Sequence, residues 1–217
     1  MSFDFNLLRQ SWPLFQEALG TTVLLFLAAL AVGTVLGLIL ALMRLSNIAP
    51  LVWVSATYVW IFRGVPALVV LFFAFYGLPA MGILLTPFAA AVVGLGLDAG
   101  AYKAEIIRAG IMSVDRGQWE ASHALAMSPA HYMRRIILPQ AIRIMIPPYM
   151  SNAITLMKST SLASVITVVE ITAVANRLIS STFKPMEFLV EIALIYLAMG
   201  TLLAMLQQSL ERRFAIR

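Results

Sequence analysis

Residues 120–139 read EASHALAMSPAHYMRRIILP. This is the one long polar interruption in the middle of an otherwise apolar chain, and its reading decides the rest. It holds both histidines, His123 and His131, and the paired Arg134 and Arg135. The pattern predicts two short helices joined at Met127-Ser128-Pro129, with Ser128 as N-cap and Pro129 in the first helical position. Its charges and its turn would go unsatisfied in hydrocarbon. The segment therefore belongs on one membrane face, where it offers a surface for docking.

Composition sets the class around it. Of 217 residues, 61% are hydrophobic and only 12% charged, where soluble domains carry about 25% charged residues. Uncharged runs at 18–43, 64–97 and 192–210 can each cross the roughly 30 Å hydrocarbon core. The chain reads as an all-α membrane protein with five spans, near 17–43, 51–76, 87–112, 147–169 and 188–207. Residues 1–16, which interleave Phe3, Phe5, Leu7, Leu8 and Trp12 with polar groups, read as an interfacial arm. Residues 17–217 form the transmembrane domain, and the polar loop with its flanks covers about 113–145. The first apolar run is too long for a signal peptide and reads as a retained helix.

Several local features shape these spans. Gly33 and Gly37, and again Gly96 and Gly100, are spaced for close helix packing. Arg63-Gly64-Val65-Pro66 should bend or break the second span. Gly77-Leu78-Pro79 should end it. Pro147-Pro148 should open the fourth, which the polar cluster Lys158-Ser159-Thr160-Ser161 interrupts. A polar stretch then runs over 170–187.

Five spans put the termini on opposite sides, and basic residues orient them. Arg44, Arg108, Arg116, Arg134, Arg135, Arg143, Arg212, Arg213 and Arg217 fall on one side; Arg9, Arg177 and Lys184 fall on the other. The first group marks the cytoplasm, so the N-terminus faces out, the C-terminus faces in and the polar loop is cytoplasmic. The net charge of +5 is thus a matter of topology rather than of nucleic-acid binding.

Catalytic signatures are missing. The chain has no Walker A sequence, no HExxH and no GxSxG, so ATP hydrolysis is not expected on this chain. It has no cysteine, which removes disulfides, thiol nucleophiles and thiolate metal sites. The histidines lie eight residues apart without neighbouring carboxylates and read as interfacial packing residues rather than as metal ligands. Charges within spans are costly unless paired or wet, and three stand out: Arg63, Asp98 and Lys158. Asp98 lies ten residues from Arg108, about 15 Å in at 1.5 Å per residue, and Lys158 lies ten beyond Pro148. Two readings stay open: Asp98 and Lys158 pair and tie two helices together, or they line a wet cavity near the midplane. Glu105 and Arg108, spaced i, i+3, should pair at the inner end of the third span.

The loop now carries a resemblance. Glu120-Ala121-Ser122, three residues, Ala126, nine residues, then Ile136-x-Leu138-Pro139 is similar to the EAA loop of binding-protein-dependent ABC importer permeases, EAA-x3-G-x9-I-x-L-P. The spacing matches throughout. Ser122 stands where Ala is usual, and Ala126 where Gly is usual. Ala126 lacks the freedom of Gly to take positive φ, so the turn is expected to lean on Ser128-Pro129 instead. Further motifs resemble the polar amino-acid subgroup of histidine, glutamine and arginine type. They are Tyr58-Val-Trp-Ile-Phe-Arg-Gly-Val-Pro-Ala67, Ala101-Tyr102-x-x-Glu105-Ile-x-Arg108-x-Gly110-Ile111, Val114-x-x-Gly117-Gln118, Leu138-Pro-Gln-Ala-x-Arg143, Ile146-Pro-Pro-x-x-x-Asn152 and Leu156-x-Lys158-x-Thr160-Ser161-Leu162. The match runs from about residue 19 to the C-terminus.

The resemblance implies a five-helix, MetI-like type I importer permease in the bacterial cytoplasmic membrane. It implies a second permease chain, identical or not, a cytoplasmic ABC ATPase dimer that holds ATP and Mg, and an extracytoplasmic solute-binding protein. Glu120, Ala121, Ser122, Ala126, Leu138 and Pro139 would form the ATPase-coupling surface. Asp98, Asn152, Lys158, Ser159 and Ser161 would line the substrate pathway of a polar amino acid, with Asp98 and Lys158 facing its ammonium and carboxylate. Ala153 and Ser159 occupy positions that are often acidic in the subgroup, which argues against a cationic side chain on the solute. An ion-coupled secondary transporter would also explain Asp98 and the broken helices but leaves the EAA loop without a role. A non-transporting scaffold would predict no solute cavity.

Overall fold

The computed structural model describes residues 4–214, and Phe3 and Arg217 lie outside that range. Helix α1 (Phe5–Leu45) is a single helix of 41 residues, with Pro13 inside it. Residues 5–16, expected as a separate arm, continue into the first span without a break. Asp4 caps α1: its carboxylate accepts from the Leu7 N–H at 3.2 Å and from Lys184 Nζ at 2.7 Å. The Lys184 hydrogen bond, more than the Leu7 one, holds the Asp4 carboxyl below its ordinary value.

The second span breaks where Gly64 and Pro66 predict it. Helix α2 (Ala49–Gly64) stops, Val65 is extended at φ −98°, ψ 133°, and α3 (Ala67–Phe72) starts after Pro66. Proline crowds the residue before it out of helical space. The second limb carries on through a π turn at Phe73–Gly77 into α4 (Leu78–Ala80), past the expected stop at Gly77. The second limb is bent 106° away from the first, so the two do not form one straight crossing.

Helix α5 (Pro87–Met112) has the expected limits. Thr86 caps it by accepting from the Ala89 N–H at 3.2 Å. It packs along α1 through the two glycine pairs together. A Cβ on Gly33 would sit 2.9 Å from Ala99 Cβ, and one on Gly37 would sit 2.6 Å from Lys103 Cβ and 3.1 Å from the Gly100 carbonyl oxygen. From the other side, a Cβ on Gly96 would lie 2.7 Å from Val32. The two backbones approach as closely as they do because neither carries side chains at the crossing.

The polar loop holds one short helix, not two. Helix α6 (Arg116–Ala124) is separate. The second, α7 (Pro129–Tyr132), runs on through a π turn at Met133–Ile137 into α8 (Leu138–Ser159). Pro147 and Pro148 therefore lie inside a helix and do not open one. A span can tolerate prolines when neighbours satisfy the freed carbonyls. The cluster at 158–161 marks the change from α8 to a 3₁₀ segment, Thr160–Ile166, which Thr167 ends at φ 68°.

The polar stretch 170–187 contains another helix, α9 (Ile171–Thr182), with Ile171, Val174 and Ala175 buried on one face. Buried Glu170 caps it, accepting from the Ala173 N–H at 2.8 Å and from the Tyr196 hydroxyl at 3.0 Å. Helix α10 (Pro185–Phe214) closes the described chain.

The main core joins α1, α3, α5 and α8 through Leu25, Leu71, Leu95 and Met157. Among the described residues α1 and α10 are long and apolar enough to cross a membrane alone, and two bent pairs pass the same test jointly. Exposed Leu27, Leu38, Leu42, Leu194, Leu197 and Leu202 suit hydrocarbon as their solvent.

Candidate translocation cavity and coupling surface

The break between α2 and α3 opens a cavity of about 560 Å³ against α5 and α8. Three elements build its wall. Residues 63–67 supply Arg63 and the extended backbone at Pro66. Helix α5 supplies Asp98 and Tyr102, one turn apart. Helix α8 supplies Asn152, Thr155, Leu156 and Ser159, the i, i+3, i+4, i+7 stripe of a single helical face. The Arg63 guanidinium lies over the Tyr102 ring, 5.4 Å from its centroid. Asp98 accepts no hydrogen bond and forms no ion pair among the described residues.

The structure thus brings Asp98, Asn152 and Ser159 together. It does not bring Lys158 or Ser161 to them. Lys158 is exposed on α8, about 100° around the helix from Ser159 and off the lining stripe. Ser161 lies in the 3₁₀ segment and donates to the Lys158 carbonyl at 2.8 Å. Asp98 and Lys158 do not pair; the cation that acts on Asp98 through space is Lys103. Arg63 takes the cationic place on the wall that was expected of Lys158. Glu105 and Arg108 pair as expected, at 2.8 Å.

Lys103 was missed. It is fully buried, and its Nζ donates to Asn152 Oδ1 at 2.8 Å. A sequence signal existed: Lys103 stands seven residues after Gly96 and three after Gly100, on the same close-packed stripe.

The candidate coupling surface is shaped by how α6 ends. Leu125 caps it, the Ala126 N–H donates to the His123 carbonyl at 2.9 Å, and the Met127 N–H donates to the Ser122 carbonyl at 3.1 Å. This is the double hydrogen bond of a Schellman turn, whose C′ position is normally Gly. Ala126 occupies it at φ 50°. The turn is not handed on to Ser128-Pro129; Ala126 itself takes the left-handed conformation, because the two hydrogen bonds demand it. A left-handed residue other than Gly costs roughly 1–2 kcal/mol, and Gly returns part of the gain as unfolded-state entropy. Ala126→Gly should therefore stabilise the loop by about 0.5–1 kcal/mol, read as a higher unfolding midpoint in detergent.

The remaining loop residues divide by exposure. Ser122 is buried, its hydroxyl donating to the Gln118 carbonyl at 2.6 Å. Glu120, Ala121, Ala126 and Pro139 are exposed, and Leu138 is half-buried. Trp119 and His123 both meet the Tyr132 ring edge-on, at 5.7 and 5.3 Å, which fixes α6 against α7. Among the described residues Glu120 pairs with Arg116 alone, at 3.0 Å, and both are exposed. Such a pair contributes at most about 0.5 kcal/mol. Glu120→Lys should leave folding intact and weaken co-purification of the ATPase subunit severalfold; unchanged recovery of the complex would count against the docking role.

Residues 33–216 match the family of binding-protein-dependent transport system inner membrane components, and the chain belongs to it. It is therefore a membrane transporter subunit whose ATPase and binding protein are separate chains, and not itself an enzyme; an ion-coupled carrier is not favoured. The chain is 40% identical over 213 residues to a probable amino-acid ABC transporter permease of Bacillus subtilis (strain 168), YckA, covering 98% of this chain and 94% of the relative. It is 41% identical to the L-cystine transport system permease TcyB of the same organism, covering 98% and 92%, respectively. It is 33% identical to the arginine transport system permease ArtQ, with 98% of each covered. A solved amino-acid ABC transporter with histidines superposes with a TM-score of 0.92 at 38% identity, covering 98% of this chain and all of that one. The inward-facing methionine transporter MetNI gives a TM-score of 0.81 at 18% identity and supports the fold alone.

Proposed function

We propose that this chain carries an amino acid across the bacterial cytoplasmic membrane, through the cavity at the α2–α3 break. The observation that carries this reading is the charge pattern on the wall: an unpaired carboxylate, Asp98, and the Arg63 guanidinium held over Tyr102. Asp98 and Tyr102 lie four residues apart on α5, a rise of about 6 Å, a spacing that suits the ammonium and carboxylate ends of one zwitterion. Asn152 and Ser159 supply hydrogen bonds beside them. The amino-acid permeases among its relatives support the substrate class.

The chain crosses the membrane five times, with the N-terminus outside and the C-terminus in the cytoplasm, in keeping with the basic residues of the coupling loop and tail. It works as one of two permease chains over an ATPase dimer. ATP and Mg bind on that dimer and not here. The test is uptake into proteoliposomes that contain this permease, its partner ATPase and its binding protein. Amino-acid uptake should require ATP and the binding protein and should stop with vanadate. Uptake driven by an ion gradient without ATP would overturn the reading.

A further inference from the structure

Lys103 is the one fully buried cation among the described residues, and the translocation reading above leaves it without a task. It does not line the cavity. It sits behind the wall, where its Nζ donates to Asn152 Oδ1 at 2.8 Å and lies 5.2 Å from the centroid of the Tyr149 ring. Its surroundings are tightly packed. The Tyr149 hydroxyl is hydrogen-bonded to Thr34 Oγ1 at 2.6 Å, and α1 packs so tightly that a Cβ on Gly37 would stand 2.6 Å from Lys103 Cβ.

This arrangement fixes a polarity. An ammonium group donates and cannot accept, so the end of the Asn152 amide turned to Lys103 must be its oxygen. The NH₂ end, which only donates, is what remains for the cavity. Among the described residues it donates to nothing. Without Lys103 the amide could turn either end inward, and it would greet an acceptor or a donor equally well.

We propose that Lys103 is a positioning residue that locks Asn152 with its NH₂ toward the cavity, so that this part of the wall selects a carboxylate and rejects its neutral amide. The proposal rests on the amino-acid reading above and adds which end of the solute Asn152 meets. A site built to hydrogen-bond one group discriminates strongly against an analogue that leaves its polar atoms mismatched. A carboxamide can offer its own oxygen to the NH₂, but as a neutral acceptor it forms the weaker bond.

The test is equilibrium binding to the purified permease–ATPase complex in nanodiscs, without the binding protein, so that only the permease discriminates. The probes are L-cystine, L-glutamine and L-arginine, each against its α-carboxamide. Wild type should prefer at least one free acid by about tenfold or more, the scale of one charge-assisted hydrogen bond. Lys103→Met frees the amide and should shrink that preference to about threefold or less, on the same scale. Asn152→Asp keeps a partner for Lys103 and so guards against a variant that fails to fold; it presents an acceptor and should reverse the preference. A wild-type preference unchanged in both variants overturns the positioning role alone. Binding of none of the three acids to wild type overturns the amino-acid reading and the positioning role with it.

Discussion

Gly37→Leu should yield no folded permease, and Gly37→Ala should lower stability by about 1–3 kcal/mol, the usual cost of overpacking a filled site. The reason is the α1–α5 crossing. Even a methyl at Gly37 would meet Lys103 Cβ at 2.6 Å and the backbone of Gly100 and Ala104 at 3.1 Å. Backbone atoms cannot turn aside as a side chain can, so the helices must separate. Separation would also pull Lys103 away from Asn152. Gly20 is the matched control, on the same helix with nothing within 4 Å of its would-be Cβ. Gly20→Ala should be neutral or gain up to about 1 kcal/mol from helix propensity. The unfolding midpoint in detergent should therefore fall for Gly37→Ala and stay level or rise for Gly20→Ala. Equal shifts would mean that the glycine pairs do not set the helix contact.

The second large effect concerns transport. Asp98→Asn and Arg63→Met should each cut uptake by about 10–100-fold, the loss of a hydrogen bond to a charged group, while the ATPase complex still assembles. Lys158→Met should leave uptake within about twofold, since an exposed cation off the cavity wall contributes little. The initial rate of labelled amino-acid uptake, normalised to reconstituted complex, checks all three. The reverse ranking, with Lys158→Met inactive and Asp98→Asn normal, would move the pathway from the cavity wall to the exposed face of α8.

Much of the architecture was legible along the chain because local chemistry dictates it. Thr86 and Pro87 start α5 where the sequence predicts, since a hydroxyl cap and an N1 proline act on their own turn. Pro66 breaks the second span through a clash with its immediate neighbour. The EAA spacing singled out the polar loop, and the charge at Asp98 pointed to the cavity wall, because a lone charge in an apolar helix is expensive anywhere. Pro147-Pro148 misled: the helix that contains them begins eighteen residues earlier, at Pro129, and runs on past them.

The direction in which a side chain points depends on more than its own turn. Asp98 and Lys158 both read as charges at similar depth within spans, yet one faces the cavity and the other faces away, because α8 turns its 152–159 stripe inward. Lys103 looked unremarkable until Gly37 of α1 and Tyr149 and Asn152 of α8 closed around it. The polar loop divides the same way. The sequence determined where it lies and that Ala126 is its one conspicuous departure. Only the tertiary structure decided that Ala126 bears the positive φ itself, because two backbone hydrogen bonds at the end of α6 leave that residue no other conformation.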